Sequence, residues 1–221
     1  MRAPSTAVPR PYGRVVGTPG RGLLAGDVHG SAGDVSAGVA GERQTASVLD
    51  ALAARPGGPW VFHDLTMPSP RLRANIDHAV VYGSHVWLID SKMWRSGFYW
   101  TVDGVVVRWG ARVPGGSGDT LRMADRLVTG MLRNKVTRVD GVGSAPGAGF
   151  TVHRPVLAVW APSGSHRLWA VRPPGVDVVA GHRLGRWLRR QFKQVDRADG
   201  AAAGFADPTI TDALTALTPT T

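Results

Sequence analysis

The sequence predicts an α/β fold in which a mixed central β-sheet is flanked by helices. Short apolar runs rich in Val, Ile and aromatic residues are separated by Gly-containing turns, as expected for strands. Other segments carry apolar residues at the 3.6-residue spacing of half-buried helices. With an apolar fraction of 43%, the 221 residues are expected to form one domain with tails.

Both ends of the chain differ in composition from its centre. Residues 1–36 are rich in Gly, Pro, Ser and Ala without a persistent period, so we expect a disordered arm that contains scattered arginines. The folded domain is expected over residues 37–195. Residues 196–221 are rich in Ala, Thr and Gly, and we expect a disordered tail there.

The first helix is predicted over residues 38–54, because Thr45, Leu49 and Leu52 follow the spacing of a buried stripe. Glu42 lies on the side of this helix that faces the core, where a carboxylate is costly unless it is paired or bound to a metal. The alternative is a first-turn glutamate that interacts favourably with the helix dipole. A strand over residues 60–66 follows.

A β-hairpin is predicted where residues 76–82 and 86–89 flank a Gly-Ser turn. In the register set by a two-residue turn, Asp77 faces Asp90, and opposed like charges are destabilising. Lys92 projects from the same face as Asp90 because it lies two residues beyond it. Two carboxylates with a lysine beside them are typical of a divalent-metal site with a basic helper. A surface ion pair is the alternative, but it leaves Asp77 unexplained.

The rest of the chain predicts further strands and helices. A second hairpin is expected at 97–102 and 105–109, a mobile Gly-rich loop at 112–119, and a helix at 121–135. After a flexible connector at 140–150, strands are expected at 156–160 and 168–171 and a last helix at 181–194. That helix carries one basic stripe, for which we predict nucleic-acid binding: Arg183, Arg186, Arg190 and Lys193.

Charge and composition restrict the classes of function. Lys and Arg number 26 against 16 acidic residues, a formal charge of +10, which suggests a polyanionic partner. The absence of cysteine excludes disulfides, a thiolate nucleophile and cysteine-bound zinc. The apolar runs are too short for a membrane span and no signal peptide is evident, so a cytoplasmic protein is predicted. His63 and His85 are expected to be isolated, and His78 to be packed on the face opposite Asp77.

Three motifs occur in an order that resembles the NERD family of nuclease-related domains, within the PD-(D/E)xK nuclease-like superfamily. They are Gly41-Glu42, Asn75-Ile76-Asp77-His78 and Ile89-Asp90-Ser91-Lys92, and the resemblance covers roughly residues 38–135. It implies a restriction-endonuclease-like core and Mg²⁺- or Mn²⁺-dependent cleavage of nucleic-acid phosphodiester bonds. An endonuclease that acts on DNA rather than RNA is expected.

The same resemblance implies a role for each residue of the site. Asp77, Asp90 and the backbone carbonyl of Ser91 would bind the metal, with Glu42 as an outer ligand or one that acts through water. Lys92 would orient the attacking water or stabilise the developing charge. Apart from the resemblance, the eight tryptophans are expected more often in the core than in base stacking, but Trp94, just past Lys92, is predicted to contact a base.

One departure from the family keeps two other functions open. NERD domains commonly carry an Asn-Pro…Gln signature in or before the helix that follows the core, and residues 115–130 contain none of these three residue types. A non-catalytic nucleic-acid-binding module on a degenerate nuclease scaffold is therefore the alternative function. A protein whose basic surface meets an acidic partner is a third.

Overall fold

The computed structural model describes residues 12–20, 32–69, 72, 74–139, 149–163, 166–200 and 205–219. Within these residues the chain forms four helices and eleven strands, arranged in two sheets. The predicted α/β class with a mixed central sheet is confirmed. Of the described helices, none is long and apolar enough to cross a membrane.

The helices are α1 (Ala32–Ala53), α2 (Asp119–Val139), α3 (Gly181–Asp199) and α4 (Pro208–Thr215). The strands are β1 (Val15–Val16), β2 (Trp60–Thr66), β3 (Asn75–Tyr82), β4 (His85–Met93), β5 (Gly97–Val102), β6 (Val105–Arg108), β7 (Ala111–Arg112), β8 (Thr151–Val152), β9 (Val156–Trp160), β10 (His166–Ala170) and β11 (Asp177–Ala180).

The central sheet has the strand order β1-β2-β3-β4-β9-β11, with β8 also paired to β4. It is mixed because β2, β3 and β4 pair antiparallel, whereas β9 runs parallel to β4 and to β11. The second sheet has the order β10-β5-β6-β7, and β10 is parallel to β5. β4 is thus an inner strand whose last residues continue toward the second sheet.

Two hydrophobic cores cover the two faces of the central sheet, and the alternation of β4 separates them. Trp87 and Ile89 belong to the core shared with α1 and α3. Val86 and Leu88 belong to the core shared with α2, α4 and the second sheet. Because all four side chains are fully buried, β4 is fixed from both faces up to the point where its charged residues begin.

Most predicted elements are present, with shifted ends. The strands predicted at 60–66, 97–102 and 156–160 have the expected bounds. The first helix begins earlier than predicted, at Ala32, and the strand Asp177–Ala180 was not predicted at all. Residues 1–11 and 21–31 of the predicted arm and 140–148 of the predicted connector lie outside the described residues.

The expected disordered tail is wrong for the part of it that forms α4. Asp207 caps this helix, since its Oδ1 accepts a hydrogen bond from the Thr209 backbone N–H at 2.8 Å. Pro208 follows in the first turn, a position that suits proline. Ile210 and Leu214 are fully buried in the core that also contains α2. The high Ala and Thr content concealed a short apolar stripe.

Leu214→Ala tests whether α4 is an integral part of the fold. Removing a fully buried leucine side chain is expected to lower the free energy of unfolding by about 2–5 kcal/mol, measured by urea denaturation. Asp212→Ala on the exposed side of the same helix is the control and should change it by less than about 0.5 kcal/mol. Equal, small effects of both substitutions would mean that the tail contributes nothing to the core.

Candidate active site and nucleic-acid interface

A two-residue turn joins β3 and β4. Gly83 in this turn has a φ of 61°, a left-handed conformation that glycine adopts without steric cost. The paired residues run from Tyr82 and His85 to His78 and Ile89. This is the register predicted from the sequence.

The next position in the register places Asp77 opposite Asp90, and there the ladder between the two strands has ended. Instead, the backbone N–H of Ser91 donates a hydrogen bond to Oδ2 of Asp77 at 2.7 Å. Burial raises the pKa of Asp77 well above its ordinary value, and Asp90 raises it further, whereas Lys92 lowers it. The protein therefore holds Asp77 where its ionised form is disfavoured.

Lys92 forms a close ion pair with Asp90, with Nζ 2.6 Å from Oδ2, and both side chains are partly buried. Burial by itself would lower the pKa of Lys92. Asp90, Asp77 and Glu42 together outweigh that effect and raise it. Lys92 is thus an ammonium group held among carboxylates.

Helix α1 brings Glu42 to the same place. Gly41 lies against the end of β4, where a Cβ atom would come within 3.6 Å of the backbone nitrogen of Met93. Glu42 is 7% exposed, which confirms that it faces inward. Burial raises the pKa of Glu42 to about 7; Asp64 and Asp90 also raise it, while the Gly20 backbone and Lys92 lower it.

A further carboxylate, Asp64, was not predicted from the sequence. In the β2–β3 ladder Asp64 and Asp77 occupy the unpaired positions between the pairs His63–His78 and Leu65–Ile76. Asp64 is 5% exposed and has a φ of 54°, which is uncommon for a residue other than glycine. Strand register therefore places Asp64, Asp77 and Asp90 in one row across β2, β3 and β4.

A chain of buried polar side chains lies beside this row and connects α1 with β2, β3, β4 and β9. His78 Nε2 lies 3.1 Å from Ser91 Oγ, which donates to Thr45 Oγ1 at 2.7 Å. The links in order are Asp50, His63, His78, Ser91, Thr45 and Trp160. Burial, and then His63, lowers the pKa of His78 well below its ordinary value. The predicted packed role of His78 is correct, but His63 is not isolated.

Residues 37–124 match the family model described as the nuclease-related domain. This segment is a NERD domain. It belongs to the PD-(D/E)xK nuclease-like superfamily and spans less than half of the 221 residues. The match includes Glu42, Asp64, Asp77, Asp90 and Lys92 and ends before α3. No curated protein and no solved structure matches the chain significantly.

Two of these carboxylates, Glu42 and Asp77, line a cleft of about 760 Å³. Lys92 lines the cleft beside these two carboxylates. Three arginines from the elements after β4 also line it: Arg95, Arg108 and Arg112. Gly115, in the loop predicted to be mobile, covers Lys92 so closely that a Cβ atom there would lie 3.2 Å from Lys92 Cε. The cleft therefore offers both carboxylates and cationic groups to a ligand.

The donor atoms suit a hard divalent cation. Carboxylate oxygens of Asp77 and Asp90 are the ligands that Mg²⁺ and Mn²⁺ prefer. The carbonyl of Ser91 points to the same strand edge as its N–H, which is the edge occupied by Asp77. As they stand, no three acidic or histidine side chains of the described residues are grouped to hold a metal ion together. Asp90 is instead paired with Lys92.

The predicted basic stripe lines a separate groove of about 1070 Å³ between α3 and the strands β10 and β11. Arg183, Arg186 and Arg190 are exposed and lie on its wall, whereas Lys193 is exposed but does not line it. Other basic residues of the groove are His182 in the first turn of α3 and, from outside the helix, Arg154, His166, Arg167 and Arg172. Sequence periodicity revealed only the helical part of this surface.

The prediction for Trp94 needs correction, because its ring is not available to a base. Trp94 is 5% exposed and stacks on Tyr99 with ring centroids 4.9 Å apart. His85 is also not isolated, since its ring nitrogens contact His153 at 2.8 Å and Asp199 at 2.7 Å. The Trp94 ring therefore serves packing, and the His85 ring serves side-chain hydrogen bonding.

Glu42→Gln tests whether the buried carboxylate is held at a cost to stability. Between pH 4.5 and about 7 the folded protein keeps a proton on Glu42 that the unfolded chain has released, so wild-type stability falls as the pH rises. Glutamine can still accept a hydrogen bond but does not titrate. In the presence of EDTA the variant should be more stable than wild type at pH 8, by up to about 3 kcal/mol.

At pH 4 the Glu42→Gln variant and wild type should unfold at similar urea concentrations, since Glu42 is then protonated in both states. Asp212→Asn, at an exposed position, is the matched control and should show no such difference between the two pH values. A variant that is less stable than wild type at pH 8 would contradict the assignment.

Proposed function

We propose that this protein is a metal-dependent nuclease that hydrolyses nucleic-acid phosphodiester bonds, as an endonuclease and with DNA as its substrate. The observation that carries the proposal is the ion pair of Lys92 and Asp90, 2.6 Å long, beside the half-buried Asp77. Lys92 and Asp77 line a cleft that arginines also line, within a domain of a nuclease-related family. The formal charge of +10 agrees with a polyanionic substrate.

Asp77, Asp90 and the carbonyl of Ser91 would hold Mg²⁺ or Mn²⁺, with Glu42 as an outer ligand or one that acts through water. When bound, such an ion lowers the pKa of a coordinated water and polarises a phosphate oxygen. The arrangement of charged groups supports this assignment: the carboxylates of Glu42, Asp77 and Asp90 lie around the ammonium of Lys92. A divalent cation would relieve the repulsion among these carboxylates, which adds to burial in raising the pKa values of Asp77 and Glu42.

Lys92 contributes a fixed positive charge and N–H donors. Because its pKa is raised, it remains protonated near neutral pH and does not take a proton from water. Its ammonium can orient the attacking water by hydrogen bonding, or stabilise the negative charge that develops on the phosphate oxygens. The reaction adds water across a P–O bond and leaves a phosphomonoester and a hydroxyl group.

The second candidate function is a nucleic-acid-binding module without activity. Two contacts favour it, because each involves a carboxylate that would otherwise be free to bind a metal. Asp90 forms an ion pair with Lys92, and Asp77 accepts a hydrogen bond from the Ser91 N–H. The absence of Asn, Pro and Gln from residues 115–130 agrees with it. Binding to nucleic acid that weakens with salt, without cleavage in Mg²⁺ or Mn²⁺, would identify this function.

Lys92→Ala separates the two candidates. If Lys92 acts mainly in the transition state, its loss should lower the single-turnover cleavage rate about 10²–10³-fold and leave binding in Ca²⁺ nearly unchanged. Lys92→Arg should not restore the rate, because a wide planar guanidinium does not replace a compact ammonium. Lys135→Ala, at an exposed position on α2, is the control. Wild-type cleavage by Lys92→Ala would remove Lys92 from the mechanism.

The metal assignment predicts that Mg²⁺ or Mn²⁺ raises the melting temperature of the wild-type protein, because a ligand that binds only the folded state stabilises it. Asp90→Asn should abolish the increase without unfolding the chain, since Asp90 is only partly buried. Asp212→Asn should keep the wild-type response. If calorimetry and melting show no divalent-ion binding, even with nucleic acid present, the assignment is wrong.

A further inference from the structure

The outer face of the second sheet carries a cluster of three aromatic rings, which we call the aromatic platform: Phe98, Trp100 and Trp169. The ring centroid of Phe98 lies 5.3 Å from that of Trp100 and 5.7 Å from that of Trp169. Trp169 is 72% exposed, the other two are partly buried, and no described residue covers the cluster as a helix covers the central sheet. An exposed apolar cluster of this kind indicates a binding surface.

Strand alternation explains why the rings face outward. Tyr99, between Phe98 and Trp100 on β5, is buried in the core. On β10, Leu168 packs against that core, and its neighbour Trp169 points the other way. The core is therefore complete without the aromatic platform, and folding does not require these three rings to be aromatic.

The surroundings of the platform are basic. Arg167 pairs with Phe98 in the β10–β5 register and is exposed. Trp169 also lines the groove that contains Arg183, Arg186 and Arg190. Among the residues that line this groove, Asp177 is the acidic one, and it lies 3.6 Å from Arg154. Aromatic rings beside rows of arginines suit a ligand that has both flat rings and negative charge.

We propose that the aromatic platform stacks unpaired bases of a nucleic-acid strand whose phosphates lie along the arginines of the groove. Single-stranded nucleic acid is favoured over duplex because the base faces in a duplex are covered by their neighbours, whereas unpaired bases can stack on aromatic side chains. This proposal rests on the proposed function only in that the partner is nucleic acid; it does not require cleavage.

A hydrogen bond links the wall of the groove to the wall of the cleft, and it connects the platform with the candidate active site. His166 lines the groove, and its Nε2 lies 2.9 Å from the carbonyl oxygen of Trp94, which lines the cleft. A strand that binds in the groove would therefore extend past this contact toward the cleft. The substrate class that fits both surfaces is nucleic acid with an unpaired segment close to the bond that is cut.

The test compares Trp169→Ala with Tyr12→Ala, its matched control. Tyr12 is 66% exposed, close to the 72% of Trp169, but it pairs with Pro56 after the end of α1, outside the second sheet. The probes are a fluorescently labelled oligo-dT strand and a mixed-sequence duplex of the same length, and binding is followed by anisotropy in EDTA at several salt concentrations. EDTA separates binding from metal-dependent cleavage.

Trp169→Ala is expected to weaken oligo-dT binding at least about fivefold, because the stacking of one base contributes roughly that much or more. Duplex binding and the salt dependence of oligo-dT binding should stay unchanged. Trp169→Phe should retain most of the affinity, since it keeps a ring. The triple change Arg183→Gln, Arg186→Gln and Arg190→Gln should instead reduce the salt dependence, by about 0.7 in log–log slope for each lost phosphate contact.

Several results would overturn the proposal. They are wild-type oligo-dT binding by Trp169→Ala, an equal loss for duplex, or an equal loss in Tyr12→Ala. A wild-type dimer in size-exclusion chromatography that Trp169→Ala dissociates would assign the platform to a second copy of the chain. If the protein cleaves nucleic acid but Trp169→Ala does not change oligo-dT binding, this proposal alone is rejected. If Trp169→Ala weakens oligo-dT binding as expected but no cleavage occurs, only the proposed nuclease activity is rejected.

Discussion

The repulsion among buried carboxylates at one end of the central sheet is the constraint on which the rest of the site depends. Strand register places Asp64, Asp77 and Asp90 in one row, and Glu42 reaches it from α1. Such a row is unstable unless each charge has a partner. Lys92 pairs with Asp90, the Ser91 N–H with Asp77, and the Asn75 side chain with Asp64 at 2.8 Å. Burial first, and acidic neighbours second, keep the pKa values of Asp77 and Glu42 raised, so these partners do not fully offset the cost of ionising the two groups.

Ser91 is where the site and the scaffold meet. Its backbone N–H holds Asp77, while its hydroxyl is bound to Thr45 of α1 and lies against His78 of β3. The position of the backbone at Ser91 is therefore fixed by side chains from two neighbouring elements as well as by pairing with β9. If the Ser91 carbonyl binds a metal, this fixed position would favour binding, because a pre-organised ligand needs little rearrangement.

The sequence predicts well those parts of the site that depend on local geometry. The two-residue turn fixed the register of β3 and β4, and with it the relation of Asp77, Asp90 and Lys92. Helical periodicity was enough to turn Glu42 inward. Asp64 could not be found in this way, because the long connection between β2 and β3 leaves their register undetermined by sequence.

Other features depended on tertiary contacts that have no local signature. Trp94 follows the lysine in sequence, but packing against Tyr99 buries it. The aromatic platform joins Phe98 to Trp169, about seventy residues apart, through a parallel pairing of β5 and β10 that neither strand reveals alone. The basic groove likewise unites α3 with the strands β10 and β11.

In the proposed function, the distribution of charge would make binding and cleavage separable steps. The net charge of +10 and the arginines of the groove attract a polyanion, whereas Glu42 and Asp77 in the cleft repel a phosphate in their ionised forms. Their raised pKa values reduce the ionised fraction, and Arg95, Arg108 and Arg112 on the cleft wall lessen the repulsion further. A nucleic acid would first be held by the groove and the platform. A divalent cation that neutralises the carboxylates would then favour entry of the scissile phosphate into the cleft.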